Sequence, residues 1–142
     1  MATWLLPPGD LTPDQIRAVE MAPDKNRVVF GVAGSGKTQV LIHRADYLAR
    51  NYNVPRDKYR VFVFTNVIKE YIKSGIQFLG LPDYTVTTFD QWCNLVFKNE
   101  ISTNYPRNNG SIDFDQIRLS VLNHLKKNPS CQKTLEFALV DE

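Results

Sequence analysis

An eight-residue segment rich in glycine, GVAGSGKT at residues 31–38, constrains the fold of this chain more than any other feature. It fits the pattern G-x-x-x-x-G-K-S/T, follows a β-branched run at Arg27–Phe30, and precedes an amphipathic segment from Lys37 to about Arg50. A strand that enters a helix through a glycine turn directs several backbone N–H groups at one point, which favours an anion. We therefore predict a phosphate-binding loop inside an α/β domain.

The residue types in this loop predict how ATP and Mg²⁺ would bind. Glycine lets the backbone approach phosphate oxygens closely, Lys37 is expected to contact the β- and γ-phosphates, and the Thr38 hydroxyl is expected to bind Mg²⁺. Lys37 is also a predicted catalytic residue. The predicted nucleotide-binding set in and beside the loop is Gly31, Ala33, Gly34, Ser35, Gly36, Lys37, Thr38 and Gln39.

Predicted strands and helices alternate along the chain. A helix is expected at Leu11–Glu20, because Thr12, Pro13 and Gln15 form a capping-box arrangement. The other predicted elements are strands at Arg27–Phe30, Arg60–Thr65, Tyr84–Thr88 and Phe137–Val140, and helices at Lys37–Arg50, from Val67, at Gln91–Lys98 and around Ile117–Leu125, with a loop at Asn99–Ile112. This alternation predicts an α/β fold with a parallel sheet and helices on both faces.

Two acidic residues follow the last predicted strand. Asp141 and Glu142 come directly after FALV, so the strand would deliver them to the sheet edge that faces the glycine turn. We predict that Asp141 binds the magnesium ion and that Glu142 is the catalytic base for the attacking water. An ordinary acidic strand end is the alternative.

Composition limits the remaining classes of protein. A chain of 142 residues with 43% hydrophobic residues forms one compact domain, and a net charge of +2 permits contact with nucleic acid without requiring it. Two cysteines without metal-ligand spacing predict neither a disulfide framework nor a zinc site, and both are expected to be buried apolar side chains. No signal peptide or membrane span is apparent, so we expect a soluble protein of a reducing, cytoplasmic compartment.

Five segments in order resemble the front half of a superfamily 1 DNA helicase of the UvrD/Rep type. LTPDQIRAVE resembles the Q-motif, GVAGSGKTQVLIHRADYLA the helicase P-loop and its helix, and VFVFTN motif Ia. TVTTFDQWC resembles motif Ib, and ALVDE resembles motif II. The resemblance covers nearly the whole chain, and the order of the motifs is more specific than any one of them.

This resemblance implies a RecA-like P-loop NTPase domain in partial form, with residues 1–142 as the N-terminal part of the first such helicase domain. Residues 99–130 are a possible small inserted subdomain. The implied function is ATP binding within an ATP-dependent DNA helicase, an enzyme that needs a second RecA-like domain that we expect this fragment to lack. Gln15 would read the adenine edge, and single-stranded DNA would meet Phe64, Thr65, Asn66, Thr88 and Phe89.

Purely structural roles are the alternatives at these positions. Gln15 could be only a capping residue, Phe64 and Phe89 core aromatics, and Asn66 a helix cap. The chain also departs from the family pattern at Gln39, Val67 and Asp90, where Arg, Lys and His are common. Two other functions stay possible: a helicase-derived module that binds nucleotide without catalysis, and a P-loop ATPase with no role on DNA.

Overall fold

The computed structural model describes residues 3–133 and 135–141, without the side chains of residues 132 and 133. The described part of the chain contains five α-helices and five strands, together with short 3-10 helices. The helices are α1 (Pro13–Glu20), α2 (Lys37–Asn51), α3 (Asn66–Ile76), α4 (Phe89–Glu100) and α5 (Phe114–Lys127), and the strands are β1 (Tyr59–Val63), β2 (Val86–Thr88), β3 (Arg107–Asn108), β4 (Ser111–Ile112) and β5 (Phe137–Val140). Within the described residues no helix is long and apolar enough to cross a bilayer.

The main sheet has three parallel strands in the order β2-β1-β5. The central strand β1 pairs on one side with β2, where Val63 lies opposite Thr88, and on the other with β5, where Phe62 lies opposite Val140. Its near-continuous apolar sequence is explained by burial on both faces. The predicted α/β fold is confirmed.

Helices cover both faces of this sheet. Val61 and Val63 belong to one buried cluster with Ile42 of α2 and Ile72 of α3. The next residue along the strand, Phe62, points to the opposite face because strand side chains alternate, and its ring meets Phe89 and Trp92 of α4 edge-on. Burial of these side chains orients the strand ends that carry the candidate site.

Helices α4 and α5 form a second apolar cluster with a small hairpin between them. Cys93, Val96 and Phe97 of α4 pack with Ile117 and Val121 of α5. The connecting segment, predicted as a loop, contains the antiparallel pair β3–β4 and turns at Asn109 and Gly110, whose φ angles are 52° and 82°. That residues 99–130 form a small inserted subdomain stays a prediction.

The predicted strand at Arg27–Phe30 is wrong. These residues pair with no strand in the described part of the chain, and Val28 and Phe30 are 75% and 89% exposed. A cleft of about 700 Å³ separates this segment from β5. A strand exists only by hydrogen bonding to a neighbour, so β-branched residues without one stay irregular.

Candidate functional site

The glycine loop turns tightly before α2. Ser35 N donates to Val32 O at 3.1 Å, and Gly36 is the N-cap of α2 in the left-handed conformation, with φ of 85°. Gly34 also has a positive φ, 81°. Residues other than glycine are strained at such positive φ angles. The two glycines therefore permit the turn that joins the loop to the N-terminus of a helix.

Lys37 reaches back across the loop that precedes it. Its Nζ donates to Gly31 O at 2.6 Å and to Val32 O at 3.0 Å. The ammonium group therefore lies on the concave side of the loop. The N-terminus of α2, which is the positive end of the helix dipole, faces the same side. Both features raise the electrostatic potential at this point and favour an anion there.

Asp141 lies beside Thr38, although 103 residues separate them. Thr38 Oγ1 donates to Asp141 Oδ2 at 3.2 Å. The position of Asp141 follows from the sheet, because Asp141 N donates to Phe62 O at 3.0 Å and continues the β1–β5 ladder. A hydroxyl and a carboxylate in contact are oxygen ligands of the kind that Mg²⁺ prefers. Glu142, the predicted catalytic base, lies outside the described residues.

Gln15 both caps its own helix and contacts the loop. Its Oε1 accepts from Thr12 N at 2.9 Å, and Thr12 Oγ1 accepts from Gln15 N, so the predicted capping box is confirmed. The other end of the amide, Nε2, donates to Ser35 O at 3.0 Å. A Cβ at Gly36 would lie 2.4 Å from this nitrogen, so glycine is also required for the close approach.

Substitution of Gln15 should separate these two roles. Gln15→Glu keeps the acceptor for Thr12 N but cannot donate to Ser35 O, whereas Gln15→Ala loses both hydrogen bonds. We expect urea denaturation to show Gln15→Ala about 1 kcal/mol less stable than the parent chain, and Gln15→Glu within about half of that loss. Equal losses in both variants would mean that the capping bond contributes nothing.

Gln39 and His43 hold the N-terminal segment against α2. Gln39 Nε2 donates to Trp4 O at 2.6 Å, and its Oε1 accepts from Leu6 N at 2.9 Å. His43 Nε2 lies 2.8 Å from Leu6 O, and the ring is buried. The side-chain amide of Gln39 is thus engaged with backbone, and its predicted contact with nucleotide remains untested.

The predicted DNA-contacting residues come together at the carboxyl ends of β1 and β2. Phe64, Thr65 and Asn66 follow β1, while Thr88 ends β2 and Phe89 follows it, and the two strands are neighbours. Phe64 is 65% exposed and Phe89 is 44% exposed. Two aromatic rings are therefore accessible to solvent at one edge of the sheet.

Purely structural roles for the residues at this edge are excluded at two positions. Phe64 is not a core aromatic, because it is exposed, and the cap of α3 is Thr65, whose hydroxyl accepts from Ile68 N at 3.2 Å, rather than Asn66. Thr88 caps α4 in the same way and is buried, so its hydroxyl is occupied by Gln91 N.

Two charged residues have structural partners that the sequence did not reveal. Asp90 forms an ion pair with Arg118 of α5, which also pairs with Asp115. The negative charge of Asp90 is therefore partly offset by a guanidinium on a neighbouring helix. Arg44 is buried and donates to Val19 O at 3.0 Å and Met21 O at 2.7 Å, so its guanidinium binds carbonyl groups at the end of α1.

Comparison with known proteins places these features in a family. The UvrD/REP helicase N-terminal domain family matches residues 11–109. The chain is 30% identical over 120 residues to the ATP-dependent DNA helicase PcrA of Bacillus subtilis, covering 82% of this chain and 16% of that protein. It is 28% identical over 92 residues to a probable DNA helicase II homolog of Mycoplasma capricolum, covering 63% of this chain and 13% of the relative.

The chain thus spans less than a fifth of the length of these relatives. The family match nevertheless extends over more than half of the chain and includes α1, the glycine loop, and the ends of β1 and β2. The chain belongs to the UvrD/REP helicase N-terminal domain family.

Proposed function

We propose that this chain is the ATP-binding part of an ATP-dependent DNA helicase or translocase, which couples ATP hydrolysis to movement on single-stranded DNA. The observation that carries the proposal is the contact between Thr38 and Asp141, at 3.2 Å, beside the glycine loop. In this arrangement the loop and Lys37 bind the phosphates, and Thr38 and Asp141 hold Mg²⁺.

The positions of these residues support the roles that we propose for them. A phosphate oxygen would compete with Gly31 O and Val32 O for the Lys37 ammonium, and the anionic oxygen is the stronger acceptor. Gln15, anchored to Ser35 O, lies beside the loop where it would read the adenine edge. Mg²⁺ supplies charge neutralisation at the β- and γ-phosphates, and Glu142 would accept the proton of the attacking water.

Binding of nucleotide is the direct test of this function. Isothermal titration of the 142-residue chain with Mg-ATP, and separately with Mg-ADP, should give saturable heat with one site per chain. We expect Mg²⁺ to strengthen the binding of ATP, because Thr38 and Asp141 contribute ligands only when the ion is present. Absence of heat with either nucleotide at millimolar concentration would refute the proposal.

We also propose that the sheet edge at the ends of β1 and β2 contacts single-stranded DNA. Support comes from the exposed rings of Phe64 and Phe89, since exposed aromatic side chains offer stacking surfaces to unpaired bases. Lys69 lies on α3 above this edge, where its ammonium donates to Gln91 Oε1. A lysine held in place by a neutral partner keeps its charge available to the phosphate backbone.

Substitution of Phe64 tests this surface. In a fluorescence titration with labelled single-stranded DNA, we expect Phe64→Ala to weaken binding about tenfold, because one base–aromatic stack contributes roughly 1–3 kcal/mol. Phe78→Ala is the matched control, since Phe78 is 52% exposed but lies beyond the C-terminus of α3. Affinity of the parent chain should also fall as salt is raised. Equal binding by both variants, or no salt dependence, would contradict DNA contact at this edge and favour a P-loop ATPase without a DNA role.

A further inference from the structure

Three metal-ligating side chains converge at one end of the α4–α5 pair. Glu100 is the last residue of α4, His124 lies in the last turn of α5, and Cys131 lies in the short 3-10 helix that follows. One potential ligand atom from each, an oxygen, a nitrogen and a sulfur, lies within 4.8 Å of the other two. None of these residues belongs to the glycine loop or to the sheet edge described above.

The imidazole of His124 is the least satisfied member of the group. Its Nε2 lies 3.0 Å from Glu100 Oε2, yet this contact lacks hydrogen-bond geometry, and the buried nitrogen has no hydrogen-bond partner among the described residues. Buried ring nitrogens normally have such a partner. A cation between Nε2, the carboxylate and the thiolate would supply the missing interaction.

We propose that Glu100, His124 and Cys131 form a binding site for a divalent cation of the zinc class. Carboxylate oxygen, imidazole nitrogen and thiolate sulfur are ligands that Zn²⁺ binds in proteins. Mg²⁺ prefers oxygen ligands only, so this set of ligands does not suit it. Tetrahedral bonds of about 2.0–2.3 Å place the ligand atoms roughly 3.2–3.7 Å apart. The longest separation, up to 4.8 Å, would therefore shorten by about 1 Å, whereas Nε2 and Glu100 Oε2 are already 3.0 Å apart. Water completes the fourth position, because Glu100 is 36% exposed.

Asn128 gives the site an orienting residue. Its Nδ2 donates to His124 O at 2.8 Å and lies 3.3 Å from His124 Nδ1. This contact orients the ring in the ion-free state. A metal on Nε2 requires the ring proton on Nδ1, so the Asn128 amide nitrogen would have to move away from Nδ1 when the ion binds. The bound ion would fasten the segment after α5 to the end of α4 and so stabilise the α4–α5 cluster.

Cobalt titration is the test, because Co²⁺ takes the place of Zn²⁺ in such sites and reports its ligands by colour. Adding Co²⁺ to the metal-free, reduced 142-residue chain should produce a thiolate-to-cobalt charge-transfer band that saturates at one ion per chain. Adding Zn²⁺ should bleach this band and raise the thermal midpoint of unfolding. Binding should weaken as pH falls, since the thiol and the imidazole must lose their protons.

Two variants decide which residues are responsible. Cys131→Ala should abolish the band, and His124→Gln should weaken cobalt binding at least about tenfold. Cys93→Ala is the matched control and should retain the band, since burial raises the pKa of the Cys93 thiol to about 11 and the side chain is only 1% exposed. Circular dichroism confirms that each variant is folded. Absence of the band in the parent chain, its persistence in Cys131→Ala, or its loss in Asp141→Asn would overturn the proposal.

Discussion

Lys37→Ala is expected to weaken the binding of Mg-ATP to this chain by a factor of about 100 or more. The Lys37 ammonium is held inside the loop by Gly31 O and Val32 O, where it would meet the β- and γ-phosphates. Charge-assisted hydrogen bonds each contribute roughly 1.5–3 kcal/mol, and every 1.4 kcal/mol is a factor of about ten in affinity. Isothermal titration with Mg-ATP measures the effect.

Lys98→Ala is the control for this experiment. Lys98 is an exposed residue of α4, a helix that packs on α5 and β2 rather than on α2. The control should bind Mg-ATP as the parent chain does, and both variants should have the circular dichroism of the parent. Equal affinity of Lys37→Ala and Lys98→Ala would show that nucleotide does not meet the concave side of the loop, and the proposed function would fail with it.

Local signals predicted the parts of the fold that depend on neighbouring residues. The capping box at Thr12 and Gln15, the buried strand before Phe64 and the start of α2 at Lys37 are all present. The hairpin at Asn109 and Gly110 was missed, although Asn-Gly is the strongest signal for a two-residue turn, because its strands have only two residues each. Hydrophobic alternation cannot be recognised in so short a run.

Pairing between distant segments was harder to predict. Arg27–Phe30 has the composition of a strand, but strand formation depends on a neighbour that composition does not reveal, and here the segment faces a cleft beside β5. The position of Asp141 was predictable, because a parallel strand delivers the residue that follows it to the carboxyl edge of the sheet, where Asp141 meets Thr38. The convergence of Glu100, His124 and Cys131 was not, since it depends on how α4 packs against α5.

Arg44 illustrates how burial changes the interpretation of a charged residue. A charged side chain on a helix is usually solvated, but α2 packs against α1, and Arg44 is only 7% exposed at the end of that helix. The last carbonyl groups of a helix have no partner within it, and Arg44 Nη1 donates to three carbonyls in this region, those of Ala18, Val19 and Met21. Arg44 therefore attaches the helix that carries Gln15 to the helix that begins at the phosphate loop.

Arg44→Ala should accordingly lower the free energy of unfolding by about 2–4 kcal/mol, because buried carbonyl groups lose their donor and the packed side-chain stem is removed. Arg50→Ala is the control on the same helix: Arg50 pairs with Asp46 but its side chain is 67% exposed, so the loss should stay below about 1 kcal/mol. Urea denaturation of the two variants measures the difference. Loosening of α1 also predicts weaker Mg-ATP binding in Arg44→Ala, through displacement of Gln15 from Ser35 O. Stability equal to that of Arg50→Ala would show that the carbonyl groups at the end of α1 do not depend on the guanidinium, and that α1 is held by its apolar face alone.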